Sequence, residues 1–317
     1  NDQTPVYQAA DADDTFSVAE NTATSSVIDN GVITDTDTGN SLGCTLGGAD
    51  AGDFTCTISG NNAQLKFAAI PNYDSPADAD TNNVYVVTVL IDDGVANDAN
   101  GATTLTITVS DLNDQAPAWT TSATANVAEG ATAVATMAAT DSDTADSGGL
   151  TYSITTDDPG SGTQFSVSGT ALTIAAQNYE SPACGAGSNS LTCVVVLAAT
   201  DAANTATAHT ITVTITDTND QAPAWTTSAT ASVAEGATAV ATMAATDSDT
   251  ADANGLTYSI TTNDPSGTVF AVSGTALTMT AQDYETPACG SGSNSLTCVV
   301  VLAATDAGST HSTAHTI

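Results

Sequence analysis

The side chains with most capacity for chemistry are oxygen donors, and they come in groups. Asp111-Leu112-Asn113-Asp114-Gln115-Ala116-Pro117 recurs, one residue changed, as Asp217-Thr218-Asn219-Asp220-Gln221-Ala222-Pro223. A shorter form, Asn1-Asp2-Gln3-Thr4-Pro5, opens the chain. An aromatic residue follows each copy: Trp119, Trp225 and Tyr7. The proline fixes its own φ and keeps its predecessor extended, so the segment reads as a stiff linker rather than a helix. Carboxylate and amide oxygens at this density suit a hard cation, Ca²⁺ above all, which takes six to eight oxygens in flexible geometry.

Other chemistries find little support. There is no nucleophile elbow, phosphate-cradling loop or metalloprotease helix. His209, His311 and His315 stand in Thr/Ala-rich strand-end sequence with no partner constellation, and they are expected to be solvated. Paired acids are common, but their recurrence at every linker fits ions better than glycoside hydrolysis. The chain is read as not an enzyme. One Lys and no Arg stand against 36 acidic residues, a formal charge of −35. Phosphate binding needs Lys and Arg, so nucleic acid is excluded as a partner, and an anionic membrane surface is disfavoured. Salt adaptation would also explain the acidity; acidic clusters need either cations or high salt to relieve their repulsion.

The six cysteines fall in local pairs: Cys44 with Cys56, Cys184 with Cys193, Cys289 with Cys298. With no Cys-x-x-Cys and the histidines elsewhere, disulfides in an extracellular protein are expected rather than zinc. No apolar run approaches the length of a membrane span. No Asn-x-Ser/Thr sequon occurs, so any glycans would be O-linked on the abundant Thr.

The linkers separate copies of one unit. Residues 119–211 and 225–317 are nearly the same sequence, displaced by 225 − 119 = 106 residues, and residues 1–112 are a more distant copy. This period fits whole tandem domains, here 1–112, 113–218 and 219–317. Within a unit the pattern alternates. Leu105, Ile107 and Val109 interleave with Thr, as do Ile211, Val213 and Ile215, which gives strands with one solvated face. Val194–Leu197 and Val299–Leu302 are unbroken aliphatic runs and predict better-covered strands. No segment shows a helical stripe. About seven short strands per unit predict an all-β chain of three tandem Greek-key β-sandwiches in a rod. Tyr7, Trp119 and Trp225 are expected at the sandwich base, and Met137, Met243 and Met279 in the core.

Five motifs recur in a fixed order around the linkers. They are Val127-Ala128-Glu129, Asp141-Ser142-Asp143, Asn178-Tyr179-Glu180, Ala199-Thr200-Asp201 and the linker itself. The first unit has Val18-Ala19-Glu20, Asp35-Thr36-Asp37, Asn72-Tyr73-Asp74 and Asp93 (or its neighbour Asp92). The third has Val233-Ala234-Glu235, Asp247-Ser248-Asp249, Asp283-Tyr284-Glu285 and Asp306. In this order the motifs resemble those of the cadherin repeat, in its bacterial cadherin-like form, over essentially the whole chain.

The resemblance implies about three Ca²⁺ ions per junction. At the first junction it implies Glu20, Asp74, Asp111, Asn113, Asp114, Asp141, Asp143 and Asp201 as ligands. At the second it implies Glu129, Glu180, Asp217, Asn219, Asp220, Asp247, Asp249 and Asp306. Backbone carbonyls of Leu112, Thr218 and the following Gln would complete the shells. Three departures stand out: Asn72 and Asn178 occupy a place where that family has Asp, Gln115 and Gln221 replace a second linker Asn, and Asp74 is shorter than the usual Glu. One ion per junction is therefore expected to bind weakly or to be absent.

The ends carry half-sites on the same reading: Asn1, Asp2, Asp35, Asp37 and Asp93 at the front, Glu235, Asp283 and Glu285 at the back. The last strand is expected to be truncated, since Ile317 is the counterpart of Ile211. Either the chain is a piece of a longer array or copies join head to tail, and a heterologous contact of that kind gives a fibre. The function expected is that of a calcium-rigidified structural repeat protein of an extracellular filament or surface layer, prokaryotic in origin, whose partners are copies of itself. The alternatives are the stalk of a bacterial adhesin, a carbohydrate-binding module and a surface hydrolase appendage.

Overall fold

The structure is a computed structural model of the chain. It describes residues 3–36, 41–143, 149–157, 163–184, 191–249, 255–264, 269–289, 296–307 and 312–317. Asn1, Asp2, Asp37, His311 and the 185–190 loop lie outside the described residues. Among the described residues the chain is all strand and connection, apart from a short 3₁₀ turn at Ala51–Asp53. Among the described residues no helix is long and apolar enough to cross a membrane. The chain forms two compact units, one of 1–120, 138–152 and 198–207, the other of 121–137, 153–197 and 208–317.

The first unit contains two four-stranded sheets. One runs Val6–Gln8, Asp29–Thr34, Asn62–Phe67, Phe54–Ser59; the other runs Thr15–Ala19, Thr103–Ser110, Val84–Asp92, Gly43–Gly47. Non-consecutive neighbours mark the crossovers of a sandwich. All pairs are antiparallel except Thr15–Ala19, which lies parallel to Thr106–Ser110. Alternation decides the core: Leu105, Ile107 and Val109 are buried while the intervening Thr residues are not. Phe54 and Phe67 stack at 4.8 Å and Tyr85 meets both edge-on, which fills the middle of the sandwich. Cys44 and Cys56 are bonded, and because they lie in different sheets the disulfide ties the two layers together.

After the first linker, Thr124–Ala128 lies parallel to Thr212–Thr216 within the order Thr124–Ala128, His209–Thr216, Thr192–Thr200, Thr151–Thr156. The facing strands are Ala133–Thr136, Ala171–Ile174 and Phe165–Ser168. The residues after the second linker repeat the plan with Thr257–Thr262, Val301–Thr305, Ser312–Thr316 against Ala239–Thr242, Ala276–Met279, Phe270–Ser273. Met137, Met243 and Met279 are buried as expected. Cys184–Cys193 and Cys289–Cys298 are both bonded, so all six cysteines are paired as the sequence predicts.

Two expectations need correction. The aliphatic run Val299–Leu302 is only partly covered: the strand begins at Val301, and Val299 is 46% exposed. Its counterpart Val194 is paired with Thr212, whose equivalent would follow Ile317. Nor are the described histidines simply solvated. His315 is half-buried with its ring stacked on Trp225 at 4.8 Å, and His209 sits 3.4 Å from the Ser122 carbonyl. An aromatic neighbour on the next strand offers imidazole a flat apolar face that alternation alone does not reveal.

Tyr7 anchors the first sandwich. Its hydroxyl donates to Asp29 Oδ2, its backbone N–H donates to Asp98 Oδ2 at 2.6 Å, and Asp29 Oδ1 accepts the Ala10 N–H at 2.8 Å. Tyr7 and Asp29 are both buried, and burial, then the Asp29 carboxylate, holds the phenol far above its ordinary value. Gly31 lies directly beneath the ring and leaves no room for a Cβ. The substitution Tyr7→Phe keeps the packing but strips a donor from a buried carboxylate, and it should cost about 1–3 kcal/mol in urea unfolding. A loss within error of zero would mean that water replaces the hydroxyl.

Candidate cation sites at the linkers

The sites are built from turns, and the turns follow from local chemistry. Each begins at the end of the parallel strand, where Glu20 or Glu129 is buried at its head. The next residue turns with positive φ: Asn21 at 60° and Gly130 at 72°, positions that suit Asn and Gly. Glu20 then clamps two segments. Its Oε2 accepts the Tyr73 N–H and its Oε1 the Leu112 N–H, both at 2.8 Å. Glu129 repeats this with Tyr179 and Thr218, again at 2.8 Å, and Thr218 adds its hydroxyl at 2.9 Å. Glu thus fixes the linker to the Tyr turn through backbone donors and leaves further lone pairs on each oxygen.

The Asp-x-Asp turn supplies the other wall. Asp141 Oδ1 accepts the Asp143 N–H at 3.1 Å, and Asp143 Oδ2 accepts the Gln115 N–H at 2.9 Å. Asp247, Asp249 and Gln221 reproduce both bonds at 3.1 and 2.8 Å. Asp143 and Asp249 are completely buried. Asp201 Oδ1 accepts the Ala203 and Asn204 N–H groups at 2.6 and 2.5 Å. In every case one carboxylate oxygen is consumed by the turn and the other is left over. Among the described residues, Asp141 Oδ2, Asp143 Oδ1, Asp201 Oδ2, Asp249 Oδ1 and both Glu180 oxygens are buried with no hydrogen-bond donor.

Carboxylates of the turns and the linkers converge. Within the first unit Glu20, Asp74 and Asp114 each place an oxygen within 4.8 Å of the others. So do Asp74, Asp111 and Asp143, and so do Asp141, Asp143 and Asp201. Asp74 and Asp143 are shared between neighbouring groups, which makes a continuous acidic chain. In the second unit the groups are Glu129 with Glu180 and Asp217, and Glu180 with Asp220 and Asp249. Asp306, the counterpart of Asp201, is 2% exposed. Every donor is oxygen, none is nitrogen or sulfur, so the set fits a hard divalent cation and not zinc or copper.

Electrostatics records the crowding. Burial first, then Glu20, Asp111 and Asp114, pushes the Asp74 carboxyl up against the opposing pull of the Ser142 hydroxyl. Burial, with Asp141, Asp74 and Asp111, does the same to Asp143 despite the Gln115 N–H. Glu180 is raised by burial with Glu129, Asp220 and Asp249, and Asp249 by burial with Asp247, Asp217 and Asp220. Asp201 moves the other way: burial lifts it, but the Asn204 and Ala203 N–H groups outweigh that and hold it low.

Several residues outside the expected side-chain ligand set also contribute. Asn21 donates its amide to Asp114, and Asn204 donates its amide to Asn113. Gln115 and Gln221 donate their amides to Asp114 and Asp220 at 2.6 Å, so the linker Gln braces a carboxylate through its side chain. Asn72 and Asn178 accept the Ser75 and Ser181 N–H groups at 2.8 Å and close their own turns, as Asp283 does for Glu285 and Thr286. Asx-turn chemistry would have flagged these residues. Of the end residues, Asp93 is buried and caps Val95 and Ala96, Asp35 is half-buried, and Glu235, Asp283 and Glu285 are exposed.

Sheet order, the parallel first strand and the acidic turns at successive ends define a class, the tandem β-sandwich of cadherin type. No protein-family model and no curated protein matches the chain. Solved structures do. Protocadherin gammaB7 EC3-6, determined as a cis-dimer, is similar with a TM-score of 0.73 and 23% identity, over 99% of this chain and 77% of that one. The protocadherin GammaB4 extracellular domain gives 0.68 and 22%, over 99% and 51%. Human CDH23 EC21-23 gives 0.66 and 20%, over 99% of both chains. The chain has the cadherin-repeat fold.

Carboxylates with raised values bind more protons in the folded than in the unfolded state, so cation-free stability falls as pH rises through that window. In chelator, acidification from neutrality into the range where these raised carboxylates take up protons should therefore raise the melting temperature, while in excess calcium it should lower it as protons displace the ion. Scanning calorimetry in the two buffers tests the sign. A melting temperature in chelator that falls on acidification would contradict the crowding. Asp249→Asn should stabilise the cation-free protein and weaken calcium binding by roughly tenfold or more, about 1.4 kcal/mol, read by calorimetric titration.

Proposed function

We propose that the chain is a calcium-rigidified structural repeat protein of an extracellular filament or surface layer, assembling head to tail. Its repeats span 1–112, 113–218 and 219–317, and each linker between them holds about three Ca²⁺ ions. The observation that carries the reading is the cluster of Asp141, Asp143 and Asp201, which each place an oxygen within 4.8 Å of the others and each keep a buried oxygen with no hydrogen-bond donor among the described residues. Like charges at that separation repel without a cation, and a cation bound only to the assembled geometry stabilises it by mass action. At a calcium concentration of 100 times Kd this contributes about 2.7 kcal/mol per site. The role assigned to the ions is mechanical: they lock the angle between repeats, and nothing in the reading calls for catalysis.

An extracellular setting is supported by three disulfides and by the fold shared with protocadherin extracellular domains. A prokaryotic origin rests on the Pro71-Asn72-Tyr73-Asp74-Ser75-Pro76 form of the Tyr turn and the absence of sequons. The stalk of an adhesin would use the same locked linkers but would not self-associate. Small-angle scattering with and without chelator, over a range of protein concentration, separates the readings. The filament reading expects a maximum dimension that shortens and broadens on chelation, and particle mass that grows with concentration in millimolar calcium. Unchanged mass with a calcium-dependent dimension would favour the stalk, and no calcium response would remove both.

A further inference from the structure

The two junctions share their carboxylates but not their amides. In the first unit Asn21 donates its side-chain amide to Asp114 at 2.5 Å. Asn204 donates its own to Asn113, both to the backbone carbonyl, at 3.3 Å, and to the side-chain oxygen. Asn21 precedes the linker and Asn204 follows it, so the linker is held from both sides. Each amide stands on a fixed base. Asn21 turns with a φ of 60°, and its N–H donates to the Pro71 carbonyl at 2.9 Å. The Asn204 N–H donates to Asp201 Oδ1 at 2.5 Å, and its carbonyl accepts the Asp201 N–H at 3.2 Å. Neither amide uses up the oxygen it touches, because each acceptor oxygen carries two lone pairs.

The second junction is built without these amides. Gly130 stands where Asn21 does, directly after the buried Glu. It makes the same turn, with a φ of 72° and an N–H that donates to the Gln177 carbonyl at 2.9 Å. The backbone is copied and the side chain is missing. After Asp306 the chain runs Ala307-Gly308-Ser309-Thr310, where Ala202-Ala203-Asn204 follows Asp201, so this turn carries no Asn or Gln. Residues 308–311 lie outside the described residues. Thr218 adds a hydroxyl bond, but to Glu129, the anchor that its own N–H already holds.

We propose that Asn21 and Asn204 are positioning residues that clamp the first linker in its cation-binding form before any cation arrives. The second linker, with Gly130 in the place of Asn21, is ordered by the cations themselves. A site organised in advance spares the ion the cost of ordering it, so the first junction takes up calcium ahead of the second. A hydrogen bond of this kind shifts an equilibrium roughly two- to tenfold. Asn204 is half-buried and Asn21 exposed, so Asn204 carries the larger share. The inference rests on the calcium reading for the order of uptake, but the clamp itself needs no ion.

Amide hydrogen exchange of the 317-residue chain, read by mass spectrometry on fragments covering 111–116 and 217–222, is the test. In chelator the first linker should exchange roughly tenfold or more slowly than the second. Asn204→Ala should remove most of that difference and leave the second linker unchanged. Gly130→Asn is the converse variant. A Cβ there meets nothing within 4 Å and Asn tolerates positive φ, so the second linker should slow in chelator. A merely structural role would not transfer to the other junction in this way. Equal exchange of the two linkers in chelator would overturn the clamp. So would an Asn204→Ala variant that changes neither linker, or speeds both alike. Titrated calcium should slow the first linker at lower concentration than the second, and the reverse order would overturn the order of uptake. Slow exchange of the first linker in chelator with no response to calcium leaves the clamp standing and counts against the calcium reading.

Discussion

Charge of one sign, held where turns rather than opposite charges fix it, is the constraint on which the rest of this protein depends. With a single Lys against 36 acids, no carboxylate cluster can be neutralised by an ion pair. The chain instead orients each acid with backbone N–H groups. Glu20 and Glu129 take one from the Tyr turn and one from the linker, and Asp143 and Asp249 take one from the Gln that follows. Neutral donors orient a carboxylate without cancelling its charge. What remains is a geometry complete in its protein parts and unfavourable in its electrostatics.

That division of labour explains the sandwich plan. The parallel pairing of Thr15–Ala19 with Thr106–Ser110 brings Glu20 to the level where the next linker leaves its strand, and the same pairing brings Glu129 to Thr218. Had the first strand paired one residue out of register, its alternation would have turned Val18 outward and Glu20 away from the linker. The Cys44–Cys56 bridge and the Phe54–Phe67–Tyr85 cluster join the two sheets, and the Tyr7–Asp29 contact ties the first strand to its neighbour within one of them. The core is built to place the ends.

The sequence by itself determined the strands, the repeats and the acidic turns, since alternation, a shift of 106 residues and Asp/Asn-Pro linkers are local or self-similar signals. The six paired cysteines and the three buried methionines were legible for the same reason. Tertiary structure decided what depends on facing elements. It set which oxygen of each carboxylate is consumed and which is left, that Gln115 and Gln221 brace Asp114 and Asp220, that Asn21 and Asn204 reach the linker from distant turns, and that His315 lies on Trp225. The Asn21, Asn204 and His315 contacts join residues far apart in the chain, which no local pattern encodes.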